Sequence, residues 1–178
     1  YLGETVISMR EELAKISEQE LRQIEHESLQ HLLPPGGSRN GLDCALWDLR
    51  AKQKQEPTIR RIFNSLKPVT TVYTIGLSEP ENMAHSARKA HKFSNLKLKL
   101  NECRTLECLQ AVRAARPTAR LLIDANGSWN PPLLLEIGED LARLNIELLE
   151  QPLRPADDHL LKDLRYPVTL CADESCQS

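Results

Sequence analysis

The sequence predicts an α/β fold in which parallel strands alternate with helices, and three observations support this prediction. Short apolar runs recur along the second half of the chain, each run ends in a charged residue, and helical patterns separate the runs. The charged residues that end four of these runs lie 23 to 26 residues apart and are Lys99, Asp124, Glu150 and Asp173. This interval fits one strand, one helix and two short loops, which is the repeat of parallel βα units.

The first 66 residues are predicted to be helical. Apolar residues recur there at helical spacing, and Ser17 and Glu20 have the spacing of a capping box at a helix start. The Pro-Pro-Gly-Gly run that begins at Pro34 is a strong stop signal. The predicted helices cover residues 4–16, 17–33, 38–55 and 57–66.

From residue 67 onward, β-branched and apolar runs alternate with helical patterns. The predicted strands cover residues 69–75, 95–100, 119–123, 146–149 and 168–172, and the predicted helices cover residues 78–92, 104–115, 131–144 and 156–164. Five parallel strands can form an open doubly wound sheet or part of an eight-stranded barrel. Charged residues end four consecutive strands and no glycine-rich loop follows the first strand, so the barrel is favoured.

Composition excludes several classes of protein. The chain has 178 residues, of which 40% are apolar, and its formal net charge is −2. The sequence has no basic stripe of the kind that indicates nucleic-acid binding. No apolar run approaches the roughly 20 residues of a membrane span. The five cysteines lack metal-type spacing and favour a reducing cytoplasm, and we predict that Cys44 and Cys171 are buried free thiols.

Because the chain starts at Tyr1 and stops soon after its fifth predicted strand, we expect a piece of a longer protein.

Lys97 and Lys99 lie two residues apart on the second predicted strand, so their side chains point to the same face. They form either the solvated face of an edge strand or a pair that points into an active site. The alternating leucines favour the second interpretation, because they would cover the helix-packed face and leave the lysines inside. A lysine beside a cation has its ammonium form disfavoured, so it can act as a base near neutral pH.

Three carboxylates end the next three strands. Asp124, Glu150 and Asp173 are hard oxygen ligands, and like charges at one end of a barrel are unfavourable unless a cation neutralises them. The pattern therefore predicts Mg²⁺. Each carboxylate could instead cap a helix or lie in a loop, and Glu174 could be the ligand in place of Asp173.

Two amide side chains follow these carboxylates. Asn126 could either orient Asp124 or cap a turn. Gln151, which precedes Pro152, is predicted to fix the loop after Glu150.

Several segments together resemble the enolase superfamily, in its muconate-lactonizing-enzyme-like branch. The segments that carry the resemblance are residues 39–49, 97–99, 124–126, 149–152 and 171–175. The lysine pair and the three carboxylates are shared across the branch. The first and last segments are particularly similar to dipeptide epimerases of the L-Ala-D/L-Glu type, which belong to murein-peptide metabolism.

The resemblance implies a modified TIM barrel beneath an α+β capping domain. Residues 1–66 would be the helical remainder of that cap, and residues 67–178 would be strands one to five of the eight-stranded barrel. It also implies specific roles, namely Mg²⁺ ligation by Asp124, Glu150 and Asp173, catalysis by Lys99 and Lys97, and substrate binding by Thr74. In this scheme Lys99 removes the substrate α-proton and Lys97 stabilises the enolate oxygens.

The family pattern extends beyond this chain. Family members carry a second lysine base on the sixth barrel strand and an acidic motif on the eighth. We therefore expect an incomplete fragment of a cytoplasmic, homo-oligomeric enzyme that acts on a small dipeptide and binds neither nucleic acid nor membrane. The alternatives are an o-succinylbenzoate synthase or muconate cycloisomerase of the same superfamily, or an inactive truncated product that binds the metal.

Overall fold

The structure is a computed structural model that describes residues 3–63 and 65–176. The chain divides into two compact units, one that extends to Pro68 and one that begins at Val69. No helix in the described ranges has both the length and the apolar character that crossing a membrane requires.

The first unit is helical, as predicted. Its helices are α1 (Val6–Leu13), α2 (Glu18–Gln23), α3 (His26–Leu32), α4 (Gly37–Lys54) and α5 (Thr58–Ile62). A small apolar core joins the helices and their connections, and it consists of Ile16, Ile24, Leu29, Leu33 and Leu46. The unit therefore has a core of its own.

The single helix predicted over residues 17–33 is wrong, because two helices occupy this segment. The backbone becomes extended at Ile24, with ψ of 132°, and this side chain joins the core of the unit. A second start signal follows immediately, since the Glu25 N–H donates a hydrogen bond of 2.9 Å to the Ser28 hydroxyl. Burial of one isoleucine thus overrides the continuous helical pattern.

The second unit is a five-stranded sheet with helices between the strands. The strands are β1 (Tyr73–Ile75), β2 (Asn95–Lys99), β3 (Arg120–Asp124), β4 (Ile146–Glu150) and β5 (Thr169–Cys171). The intervening helices are α6 (Pro80–Lys89), α7 (Thr105–Ala115) and α8 (Pro131–Arg143), and a 3₁₀ helix spans Pro155–Leu161. All neighbouring strands are parallel, and their order in the sheet follows their order in the chain. This order has no reversal of the kind that defines a doubly wound sheet, so the predicted partial barrel is confirmed.

The two faces of the sheet differ in what covers them. Leu96, Leu98 and Ile123 are fully buried and belong to the main core, together with residues of α6, α7 and α8. Lys97 and Lys99 alternate with these leucines and lie on the opposite face. We call this second face the charged face.

Two predicted elements differ in extent or type. The first strand was predicted over residues 69–75, but only Tyr73–Ile75 forms β1, because its pairing with β2 begins at Tyr73 and Leu96. The helix predicted over residues 156–164 is a 3₁₀ helix over Pro155–Leu161. A 3₁₀ helix rises about 2.0 Å per residue against 1.5 Å for an α-helix, so a short segment spans more of the return path between strands.

The two cysteines predicted to be buried are both exposed, and that prediction is wrong. Cys171 pairs laterally with Glu150, so it lies on the charged face of the sheet rather than under the helices. In α4, Leu46 is buried and Cys44 stands two positions earlier, about 200° around the helix axis. Cys108, in α7, is buried instead.

Arg113 stabilises the end of the sheet opposite the charged residues that end the strands. Its guanidinium donates hydrogen bonds to the backbone oxygens of Ala119 at 2.6 Å, Leu144 at 2.9 Å and Asn145 at 3.1 Å. We expect Arg113→Leu to lower the free energy of unfolding by about 2–4 kcal/mol, because partly buried carbonyl groups lose charged donors. Denaturant unfolding measures this loss.

Arg143→Leu is the matched control for this prediction. Among the described residues Arg143 forms an ion pair with Asp140 alone, on the same exposed helix surface, so its loss should change stability much less. Equal losses for the two variants would contradict the assignment of Arg113.

Candidate metal and catalytic centre

Three carboxylates converge at the C-terminal end of the sheet. Asp124 and Glu150 are the last residues of β3 and β4, and Asp173 lies two residues after β5. One oxygen from each carboxylate lies within 4.8 Å of the other two. Asp124 is only 1% exposed, whereas Asp173 lies on the surface. The structure therefore brings together the three residues that the sequence predicted as metal ligands.

An irregularity in β4 places Glu150 beside Asp124. The pairing of β3 with β4 shifts by one residue between Leu121 and Leu122, so that Glu147 is an extra residue in β4. Because side chains alternate between the two faces, one extra residue reverses the phase of the strand beyond it. Glu150 consequently lies in register with Asp124 on the charged face rather than among the helices.

The carboxylate group fits a divalent cation. Two oxygens bound to one Mg²⁺ lie at most about 4.2 Å apart, which is twice the usual metal–oxygen length. Oxygens within 4.8 Å of one another reach this spacing by small side-chain rotations. The three carboxylates carry one more negative charge than the two lysines beside them can neutralise, and a bound cation would offset this excess negative charge.

Both predicted lysines contact the carboxylates directly. Lys97 Nζ donates to Glu150 Oε1 at 2.7 Å and lies 2.9 Å from Asp124 Oδ2. Lys99 Nζ donates to Asp124 Oδ2 at 2.7 Å and to Asn126 Oδ1 at 2.8 Å. The two ammonium groups therefore share one carboxylate oxygen and approach the centre from the same strand.

The lysines and the carboxylates shift each other's proton affinities. Burial raises the pKa of Asp124, but hydrogen bonds from Lys99 and Lys97 outweigh burial and leave the pKa below its ordinary value. Burial lowers the pKa of Lys97, but hydrogen bonds to Glu150 and Asp124 outweigh it and leave that pKa above its ordinary value. Lys97 is therefore a fixed positive charge at neutral pH.

Asn126 connects Lys99 to the loop after β5. Its backbone N–H donates to Asp124 Oδ1 at 3.0 Å, which orients this carboxylate. Its side-chain Nδ2 donates to Glu174 Oε1 at 3.1 Å. The second oxygen of Glu174 is buried and has no hydrogen-bond partner among the described residues. Asp173, rather than Glu174, belongs to the group of converging carboxylates.

Gln151 is a buried amide that joins two loops. Its Nε2 donates to Leu153 O at 2.9 Å, within the loop after Glu150, as the sequence predicted. Its Oε1 accepts hydrogen bonds from the backbone N–H groups of Asp173 at 2.9 Å and Ser175 at 3.1 Å. The same side chain thus also fixes the loop that carries the third carboxylate.

Thr74 lies on β1 in register with Lys97, and therefore on the charged face of the sheet. Its exposed side chain borders the lysine pair, and its role in substrate binding stays a prediction.

Sequence reasoning missed the contact between Asn126 and Glu174 and the reach of Gln151 into the loop after β5. The contact between Asn126 and Glu174 joins side chains that lie 48 residues apart, so no local spacing indicates it. The long-range partners of Gln151 are mainly backbone groups, which leave no residue pattern to detect.

Comparisons with known proteins give the chain its context. The L-Ala-D/L-Glu epimerase of Escherichia coli K12 is 37% identical over 99% of this chain and 56% of its own length. A solved enolase family member from Agrobacterium tumefaciens, described as homologous to dipeptide epimerases and as holding sodium and L-Ala-L-Glu, is 35% identical. That match has a TM-score of 0.91 and covers 97% of this chain and 53% of the other.

A third similar protein is the dipeptide epimerase of Enterococcus faecalis V583, solved with Mg and the dipeptide L-Leu-L-Tyr. It is 28% identical with a TM-score of 0.81, and the match covers 98% of this chain and 53% of the other. The chain thus spans about half the length of the relatives that it matches.

The enolase C-terminal domain-like family model matches residues 81–178, which hold β2 to β5 and all of the charged centre. This match covers more than half of the chain, and the solved relatives share its fold. The chain therefore belongs to the enolase C-terminal domain-like family of the enolase superfamily.

Proposed function

We propose that these residues belong to a Mg²⁺-dependent dipeptide epimerase of the L-Ala-D/L-Glu type, which would act in cytoplasmic murein-peptide metabolism. The observation that carries the proposal is the convergence of three carboxylates and two lysines at the ends of β2 to β5 and in the loop after β5. The helical first unit is then the helical part of the capping domain.

The reaction begins when a base removes the α-proton of the C-terminal residue of the dipeptide. Mg²⁺ held by Asp124, Glu150 and Asp173 would stabilise the negative charge that develops on the substrate carboxylate. Lys99 is the base, because its side chain is the more exposed of the pair and lies where a substrate would cover the charged face. Lys97 stays protonated and donates to the enolate oxygens, in keeping with its raised pKa.

Thr74 and Asn126 act beside this pair. Asn126 holds Lys99 Nζ at 2.8 Å and so fixes the direction from which the base approaches. Thr74 lies one strand away from Lys97 and offers a hydroxyl to a substrate that covers the charged face.

The test uses a completed enzyme, defined as this chain joined to the parts of the E. coli relative that lie outside the match. Incubation with L-Ala-L-Glu and Mg²⁺ in D₂O should replace the glutamate α-proton and produce L-Ala-D-Glu, both followed by NMR. L-Leu-L-Tyr serves as a competing dipeptide. A folded completed enzyme that exchanges neither dipeptide would refute the proposal.

The 178-residue chain alone should not epimerise the dipeptide. Epimerisation removes the proton on one face and returns it on the other, and the described lysines that contact the carboxylates both lie on β2. In the sheet that the described residues form, β1 and β5 each pair with one neighbour only, so water reaches the charged face from both edges. The same NMR assay checks this, and enzyme-like production of L-Ala-D-Glu would mean that a second base exists in this chain.

A further inference from the structure

The third carboxylate of the centre has less backbone support than the other two. Asp124 and Glu150 end strands that pair with a neighbour on each side. Asp173 instead follows β5, which among the described strands pairs with β4 alone, and its side chain is exposed. A ligand in such a loop must be held by other contacts if it is to be in place before the cation binds.

Gln151 supplies these contacts from the preceding strand. Its Oε1 accepts from the N–H groups of Asp173 and Ser175, which lie on either side of Glu174. Its backbone N–H donates to Cys171 O at 2.8 Å, which continues the pairing of β4 with β5 one residue further. Gln151 therefore holds the backbone of this segment at Cys171, Asp173 and Ser175.

The amide of Gln151 uses its full hydrogen-bonding capacity. The oxygen accepts two hydrogen bonds, and Nε2 donates to Leu153 O at 2.9 Å and to Ser175 Oγ at 2.7 Å. The residue is only 2% exposed, so water cannot replace these partners. A carboxylate in its place would lack both N–H donors, and an apolar side chain would leave buried N–H and carbonyl groups unpaired.

We propose that Gln151 is a positioning residue that holds Asp173 within reach of the cation and so sets the cation affinity of the centre. This inference rests on the proposed function, because it requires a cation at the three carboxylates. Without Gln151, the loop after β5 has to become ordered when the cation binds. Outer contacts of this kind typically change metal affinity by about 10- to 100-fold.

The experiment compares Gln151→Met with Thr105→Val in the 178-residue chain. Methionine keeps the length of the side chain but removes all of its hydrogen bonds. Thr105 is a buried polar residue of α7 that donates to Asn101 O at 2.6 Å and does not contact the loop after β5, so its variant tests a loss of stability alone. Isothermal titration with Mg²⁺ gives the affinity, and thermal melting with and without Mg²⁺ gives the stabilisation by the cation.

We expect Gln151→Met to weaken Mg²⁺ binding by about 10- to 100-fold and to reduce the Mg²⁺-dependent rise in Tm. Thr105→Val should lower Tm and leave the affinity unchanged. Wild-type affinity in Gln151→Met, or an equal loss of affinity in both variants, would overturn the inference. If Gln151→Met does not fold, Gln151→Asn decides, because its shorter amide cannot span both loops and must also bind Mg²⁺ more weakly.

A failure of the proposed function would give a different result in the same measurements. If the wild-type chain itself shows neither binding heat nor a rise in Tm with Mg²⁺, the metal centre is refuted, and the role of Gln151 with it. Binding by the wild type that is unaffected by loss of Gln151 refutes the positioning role only.

Discussion

Replacement of Asp124 by asparagine should reduce the affinity of the centre for Mg²⁺ by more than about 100-fold, a larger loss than outer contacts produce. Asp124 is the most buried of the three carboxylates, and Lys97 and Lys99 both contact its Oδ2. The neutral amide offers one oxygen instead of two and brings two N–H donors toward lysines that need acceptors. The variant therefore loses a ligand and leaves two ammonium groups to repel the incoming cation.

Isothermal titration of the 178-residue chain with Mg²⁺ measures this loss directly. Asp140→Asn is the control, because Asp140 lies on α8 and pairs with Arg143 away from the centre. Unchanged affinity in Asp124→Asn would remove Asp124 from the metal site, whatever the activity of the protein.

Lys99→Met should slow exchange of the α-proton from one epimer of the dipeptide by about 100- to 10,000-fold in the completed enzyme, the usual contribution of a positioned base. Methionine keeps much of the side-chain volume but cannot accept a proton. Exchange from the other epimer begins on the opposite face of the substrate, where the resemblance places a different lysine, so its first step should survive. The assay is deuterium incorporation from D₂O, measured separately for L-Ala-L-Glu and L-Ala-D-Glu.

Lys97→Met provides an internal comparison for this prediction. Lys97 bridges Glu150 and Asp124, and in the proposed mechanism it stabilises an enolate that both epimers share. Its loss should therefore slow both exchange reactions alike, whereas Lys89→Met, on the exposed surface of α6, should slow neither. Undiminished exchange of both epimers by Lys99→Met would remove Lys99 from the role of base.

The part of the fold with a regular side-chain period could be predicted from the sequence. In β2 the strict alternation of leucine and lysine indicated one buried and one charged face, and the structure has both. The spacing of strand ends placed Asp124, Glu150 and Asp173 at one end of the sheet, where their oxygens converge. Side-chain period and strand order are local or sequential properties, so they can be recognised without knowledge of the tertiary contacts.

The features that escaped prediction depend on contacts between distant segments. The break at Ile24 exists because this side chain joins a core that distant helices complete. The exposure of Cys171 follows from its register with Glu150, which its own apolar run does not reveal. Gln151 binds chiefly backbone groups of a loop more than 20 residues away, and backbone groups carry no sequence signature.

The extra residue in β4 separates the position of Glu150 in the sheet from the number of residues that precede it in the strand. A chain that lacked Glu147 would pair Ile146 with Leu121 and Leu148 with Leu122 in direct succession, so its sheet would be more regular and Glu150 would still lie beside Asp124. The distance in sequence between the two carboxylates can therefore shrink by one residue without moving either of them out of the centre. A search for relatives that demands a fixed number of residues between Asp124 and Glu150 would reject chains whose centre is intact.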